Sequence, residues 1–247
     1  MRVVIIVQAR MGSTRLPGKV LMEAAGRPML AHQIDRLRQC RLAHEIVIAT
    51  SQNPRDDVIE SFCREMNVSV FRGDEYDVLS RFAGAARQAA ADMVVRLTAD
   101  CPLIDPDIID QVIARFTRSP GSRVYVSNTL ERTFPRGMDA EAFSAELLFE
   151  ADARAHSGSD REHVTPYMIR NDHGDIEQRL VRAETNLSAY RFTLDYPKDF
   201  SQISALLSLC LPGYRLDALM QVALATALAQ HDNSEPLVAP LRMQAHQ

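Results

Sequence analysis

The chain has 247 residues, 46% of them hydrophobic, with a formal net charge of −4 and no tryptophan. That is enough apolar material for one large α/β domain, and the acidic balance with few aromatics argues against a nucleic-acid platform. Cys40, Cys63, Cys101 and Cys210 show no C-x-x-C spacing, so neither a zinc knuckle nor a disulfide framework is expected; the reading is four reduced thiols in a cytoplasmic protein. The opening apolar run is shorter than a secretory h-region, and Ala218 to Ala229 is too short to span a bilayer, so no leader and no membrane insertion are expected.

Val3 to Val7 is a run of five apolar, mostly β-branched residues, which reads as a strand buried on both faces. The loop after it, Gln8 to Lys19, holds two glycines, two hydroxyls and three cations, Arg10, Arg15 and Lys19. Loops leaving the carboxyl ends of such strands bind ligands, and these side chains suit phosphate oxygens. The spacing is not a P-loop: five residues separate Gly12 from Gly18, and Val20 stands where a magnesium-binding hydroxyl belongs. Nor does it hold the G-x-G-x-x-G dinucleotide fingerprint.

Gly26-Arg27-Pro28 opens a helix with Pro28 in its first turn and Met29, Leu30, Ile34 and Leu37 as its buried stripe. His44 to Thr50 reads as a strand, Asp56 and Asp57 as the start of the next helix, and Val58, Ile59, Phe62 and Met66 as that helix's inner face. Val68 to Phe71 is a third short strand. The alternation predicts a parallel sheet with right-handed crossovers. Arg72 to Phe82 is a turn entering a helix, with Gly73, Asp74 and Arg81 at another strand end.

Asp92 to Thr98 is an apolar strand that ends in Thr98-Ala99-Asp100 before Pro102. A carboxylate there suits magnesium, which takes one or two carboxylates and leaves the remaining positions to water and phosphate; a turn cap is the competing role. Asp105-Pro106-Asp107 reads as an N-cap followed by proline at the first helical position, not as a metal-binding D-x-D. Arg123 to Asn128 is a strand. Arg136, Asp139 and Glu141 follow in Pro-Arg-Gly-Met-Asp-Ala-Glu, with the two acids on one face of an extended piece, suited to a hydroxylated ligand or to a salt-bridged turn. Phe143 to Ala155 reads as a helix, Asp160 or Ser159 as the next N-cap, and Ile176 to Val181 and Tyr190 to Leu194 as the last strands. Asp195 lies at a strand end before a helix begun by Pro197, and N-capping competes with a site role. The tail over 231–247 is polar and is expected to be mobile.

Gln8-Ala9-Arg10-Met11-Gly12-Ser13-Thr14-Arg15-Leu16-Pro17-Gly18-Lys19 resembles the N-terminal signature of the sugar cytidylyltransferases. These include enzymes that activate 3-deoxy-manno-octulosonate and acylneuraminates with CTP, and spore-coat polysaccharide proteins of the SpsF type. The resemblance runs from residue 1 to about 210 and takes in Asp100-Cys101-Pro102-Leu103-Ile104, Asp195-Tyr196-Pro197-Lys198-Asp199 and Arg161-Glu162-His163-Val164-Thr165-Pro166. It implies a single three-layer α/β domain over 1–230, of the nucleotide-diphospho-sugar-transferase type, with a mixed, mostly parallel sheet. It also implies a small lobe near 130–185 for sugar binding and homodimer contact.

The implied reaction is attack of a sugar hydroxyl, an acidic keto-sugar being the candidate class, on the α-phosphorus of CTP. The products are a CMP-sugar for surface polysaccharide and pyrophosphate. Arg15, Lys19 and Asp100 are then catalytic, and Asp100 with Asp195 holds Mg2+. Gln8, Ala9, Arg10, Gly12, Ser13, Gly73 and Arg81 bind the nucleotide, and Arg136, Asp139, Glu141, Arg161 and His163 bind the sugar. Use of another NTP, or a glycosyltransferase-like protein that only binds nucleotide sugars, are the alternatives.

Overall fold

The computed structural model describes residues 1–118 and 123–230; the tail expected over 231–247 lies outside them. In chain order the main elements are β1 (Val3–Gln8), a hairpin of β2 (Glu23–Ala24) and β3 (Arg27–Pro28), α1 (Met29–Leu37), β4 (Glu45–Ser51), α2 (Asp57–Glu65), β5 (Ser69–Gly73), α3 (Val78–Gln88) and β6 (Met93–Thr98). Then follow α4 (Pro106–Thr117), β7 (Val124–Ser127), β8 (Glu141–Ser144), α5 (Ala145–Arg154), α6 (Gly158–His163), α7 (Pro166–Arg170), β9 (Glu177–Leu180), α8 (Pro197–Leu209) and α9 (Leu216–Gln230).

The strands build a seven-stranded sheet in the order β5-β4-β1-β6-β8-β7-β9. β1 pairs in parallel with both β4 and β6, while β8 runs against β6 and β7. Val3 to Val7 are no more than 2% exposed, because both faces of β1 are covered. Val3, Ile5 and Val7 pack with α1, α4, α8 and α9; Val4 and Ile6 pack with α3 and α5. Each such side chain is worth about 1.5–3 kcal/mol in burial, so the run the sequence opens with is the spine of a three-layer sandwich. The chain winds from β1 outward to β5 and then returns to β6 on the other side of β1. The carboxyl ends of β1 and β6 therefore flank a topological switch point, the place where open α/β sheets take ligands.

Several local expectations hold at the atomic level. The stripe Met29, Leu30, Ile34 and Leu37 is buried, and Asp105 caps α4 by accepting from the Asp107 amide at 2.8 Å. Others change. Pro28 closes the hairpin and stands at the N-cap of α1, one residue before its first turn. Val58 is 49% exposed, and the buried face of α2 runs through Ile59 and Cys63, because the sheet edge gives this helix a narrow surface to cover. Phe143 and Ser144 belong to β8, whose pairing with β6 outweighs their helical spacing. Ser157, not Asp160 or Ser159, caps α6. Tyr190 to Leu194 is no full strand: it makes one isolated bridge, Arg191 to Arg136.

That bridge depends on Gly137, whose φ is +98° and whose missing Cβ would lie 2.8 Å from the Phe192 carbonyl. Arg136 donates its amide to Tyr190 at 3.0 Å, and Phe192 donates back to Arg136 at 2.7 Å. Gly137→Ala is therefore expected to lose about 1–3 kcal/mol in urea unfolding. Gly158→Ala, where nothing lies within 4 Å, is expected to stay within about 0.5 kcal/mol of the parent.

Candidate active site

The basic loop is built on a rigid base. Ala9 continues the β1 ladder by donating to Ala49 at 3.1 Å, and the loop then closes on Met11, whose carbonyl accepts from Ser13 and Gly18, each at 3.0 Å. Gly18 adopts φ +71°, which turns the chain into a single 3-10 turn headed by Lys19. Beneath the loop, the fully buried Asp56 accepts from the Met11 amide at 2.8 Å and from the Ser51 hydroxyl. Asp56 stands at the N-cap position of α2, as expected of a helix start, but its carboxylate makes no cap bond there and anchors the loop. Gly12 leaves room for the guanidinium of Arg55, which a Cβ would meet at 2.7 Å, and Arg55 in turn pairs with Glu75.

Lys19 gathers the far side of the site. Its ammonium donates to the Leu194 carbonyl at 2.6 Å and to Asp195 Oδ1 at 3.1 Å, and lies 3.5 Å from Asp100 Oδ2. Two carboxylates distant in sequence, one just after β6 and one just before α8, thus converge on one cation. A backbone bond from the Leu194 amide to the Asp100 carbonyl, 2.8 Å, holds the two segments side by side. Arg15 reaches Asp195 at 3.1 Å and the Tyr196 hydroxyl at 3.2 Å, and Arg191 donates to Asp195 Oδ2 at 2.6 Å. Asp195 is not a helix cap: Tyr196 holds the N-cap position of α8, and Asp199 accepts from the amides of both Asp195 and Tyr196 at 2.9 Å. Burial acts to raise the Asp195 carboxyl, but the hydrogen bonds from Arg191 and Lys19 and the charges of Lys19 and Arg15 outweigh it, so its pKa lies below the ordinary value.

These groups open into a cavity of about 840 Å³. At one end it is lined by Ser13, Arg15, Lys19, Asp100 and Asp195, and along its floor by Gln8, Ala9 and Thr98. At the other end stand Arg10, Arg81, the turn Asp74 to Val78, and Arg161 and His163 of α6. Arg81 is 2% exposed; burial, and then the neighbouring Arg10, push its pKa down to about 10. It donates to the Asp74 carbonyl at 3.0 Å, and its Nε has no partner. The Arg10 side chain has no hydrogen bond or ion pair among the described residues, so two cations face this end without a carboxylate bound to either.

Five of the expected ligand contacts do not line the cavity. Gly12 faces Arg55, and Gly73 ends β5 where a Cβ would crowd Phe71 and Arg81. Arg136 is exposed, outside the lining. Asp139 is held by both amino groups of Arg132. Glu141 is buried with both oxygens engaged, one by Arg96 and one by the Tyr125 hydroxyl. Arg161 does line the cavity, but its guanidinium is tied to Asp77 at 2.8 Å and to Asp152 at 2.9 Å, bracing α6 against the start of α3. Sequence reasoning gave Asp56 only a helix-start role and passed over Asp77 and Arg96. Arg96 carried a visible signal, a lone charge within the apolar run Met93 to Leu97.

Among the described residues no three His, Cys, Asp or Glu side chains are grouped to hold a metal. Asp100 and Asp195 bring carboxylate oxygens to the Lys19 ammonium, and one or two carboxylates are what magnesium takes from a protein, the rest of its shell being water and phosphate.

A depressed carboxylate stabilises the fold above its unfolded pKa, and that contribution fades as the pH falls toward the folded one. Asp195→Asn is accordingly expected to lower the thermal midpoint at pH 7. The gap to the parent should narrow as the pH is taken from about 5 toward 3, the range in which a free carboxylate titrates.

The chain matches the family described as cytidylyltransferase over residues 4–228. It is 35% identical to the spore coat polysaccharide biosynthesis protein SpsF of Bacillus subtilis over 211 residues, 83% of this chain and 85% of that one. It is 32% identical to the 3-deoxy-manno-octulosonate cytidylyltransferase of Geobacter sulfurreducens over 133 residues, 54% of this chain and 52% of the other. A solved cytidylyltransferase from Leptospira borgpetersenii superposes with a TM-score of 0.89 at 33% identity, covering 95% of this chain and 99% of that chain. The basic loop at the switch point, the converging aspartates and these likenesses agree: the chain belongs to the cytidylyltransferase family.

Proposed function

We propose that this enzyme transfers CMP from CTP to a sugar hydroxyl and releases pyrophosphate, making a CMP-sugar for surface polysaccharide. The observation that carries this reading is the meeting of Lys19, Arg15 and Arg191 with Asp100 and Asp195 at the mouth of β1 and β6. Phosphoryl displacement asks mainly for charge neutralisation and in-line alignment. Arg15 and Lys19 hold the triphosphate and stabilise the departing pyrophosphate, while the hydroxyls of Ser13 and Thr14, which line the cavity, complete the cradle. Asp100 and Asp195 hold magnesium, which when bound supplies charge neutralisation at the phosphates and the attacking oxygen.

Arg10 and Arg81 neutralise or hydrogen-bond the rest of the nucleotide, and His163, exposed at the opposite wall, contacts the acceptor. The acceptor class in this reading is an acidic keto-sugar. Relatives named 3-deoxy-manno-octulosonate cytidylyltransferase and 8-amino-3,8-dideoxy-manno-octulosonate cytidylyltransferase support that class.

Pyrophosphate release with CTP over a panel of acidic sugars tests the reading. Lys19→Ala and Asp100→Asn should each lose about 10²-fold or more in kcat, and chelation with EDTA should stop turnover until magnesium is restored. Full release from both variants would remove the proposed roles. The same reading carries a homodimer joined through the 130–185 lobe; sedimentation equilibrium should return twice the chain mass of 27.7 kDa, and a monomer at every concentration would count against it.

A further inference from the structure

Among the described residues that line the cavity, Gln8 is the single carboxamide. Its Oε1 accepts from a terminal amino group of Arg96 at 3.3 Å. A guanidinium only donates, so the chemistry decides which end of the amide faces Arg96, and it is the oxygen. The Gln8 NH2 group has no protein partner among the described residues and remains for the cavity.

Arg96 is itself held. Its other amino group donates to Glu141 Oε2, and Glu141 Oε1 accepts from the Tyr125 hydroxyl. Arg96 stands opposite Glu141 in the β6–β8 register, and Tyr125 lies on β7, so one row of hydrogen bonds crosses four strands. The Arg96 and Glu141 side chains are 16% and 8% exposed, and Tyr125 is fully buried. Breaking such a row leaves a buried charge unpaired, so it is stiff.

On the nucleotidyl-transfer reading, on which this inference rests, the triphosphate goes to the cations of the Gly12 to Lys19 loop. The uncharged base is left to the neutral floor, where Gln8 offers the one carboxamide N–H. We infer that Arg96 is a positioning residue that locks the Gln8 carboxamide with its N–H toward the nucleobase, so that the site selects cytosine, whose N3 accepts, over uracil, whose N3–H donates. A site that presents a fixed donor rejects the ligand whose matching atom is also a donor.

Calorimetric binding of CTP and of UTP to the full chain, with magnesium and without sugar, tests this. The parent should prefer CTP by about tenfold, the worth of one net hydrogen bond. Gln8→Glu keeps the Arg96 contact through one oxygen and turns the other to the base as an acceptor, so the preference should invert toward UTP. Arg96→Met frees the amide to rotate and should bring the ratio near one, and Arg96→Lys should restore part of it. A purely structural Arg96 would weaken both nucleotides alike and leave the ratio unchanged. An unchanged ratio in Gln8→Glu and Arg96→Met, or no preference in the parent, overturns the inference while leaving nucleotidyl transfer intact. A parent that binds neither nucleotide overturns both.

Discussion

The ammonium of Lys19 is the point on which the site depends. It joins a loop at the start of the chain to Asp100, the Leu194 carbonyl and Asp195, contacts separated by up to 176 residues. None of these groups is stable alone in a half-buried cleft. Two carboxylates close together repel, and a single ammonium between them relieves that repulsion. Arg15 and Arg191 then balance what Lys19 leaves over. The arrangement requires β1 and β6 to be parallel neighbours, with the segment before α8 laid against the end of β6. The sheet order is therefore a condition of the chemistry.

A second layer of charge serves the first. Asp56 holds the base of the basic loop, Asp77 and Asp152 hold Arg161, and Glu141 holds Arg96. In each case a buried or half-buried acid has its oxygens engaged by the protein. Such acids shape the cavity wall and leave its cations facing inward. The lining thus runs from an ion-paired end at Lys19 to an end of mixed charge where Arg10 and Arg81 have no carboxylate bound to them, with a neutral strip over Gln8, Ala9 and Thr98 between them.

Much of this was legible in one dimension. The β-branched run Val3 to Val7, the stripe of α1 and the Asp105-Pro106 cap report short-range physics: side-chain period, proline geometry and local amide capping. The loop cations and Asp100 were readable because the ends of parallel strands in this topology point to one edge. The errors have a common source. Val58 and the strand expected over Tyr190 to Leu194 were judged from local pattern, and each was decided by what lay across from it.

By itself the amino-acid order determined the α/β alternation, the basic loop after β1, the carboxylates at the ends of two later segments and the family to which they belong. Only the tertiary structure decided which charges face the cavity and which are tied off: Glu141 to Arg96 and Tyr125, Asp139 to Arg132, Arg161 to Asp77, Asp195 to Lys19. The reason is physical. Propensity and periodicity act over a few residues, whereas a buried charge is governed by whichever opposite charge the strand register brings within about 4 Å.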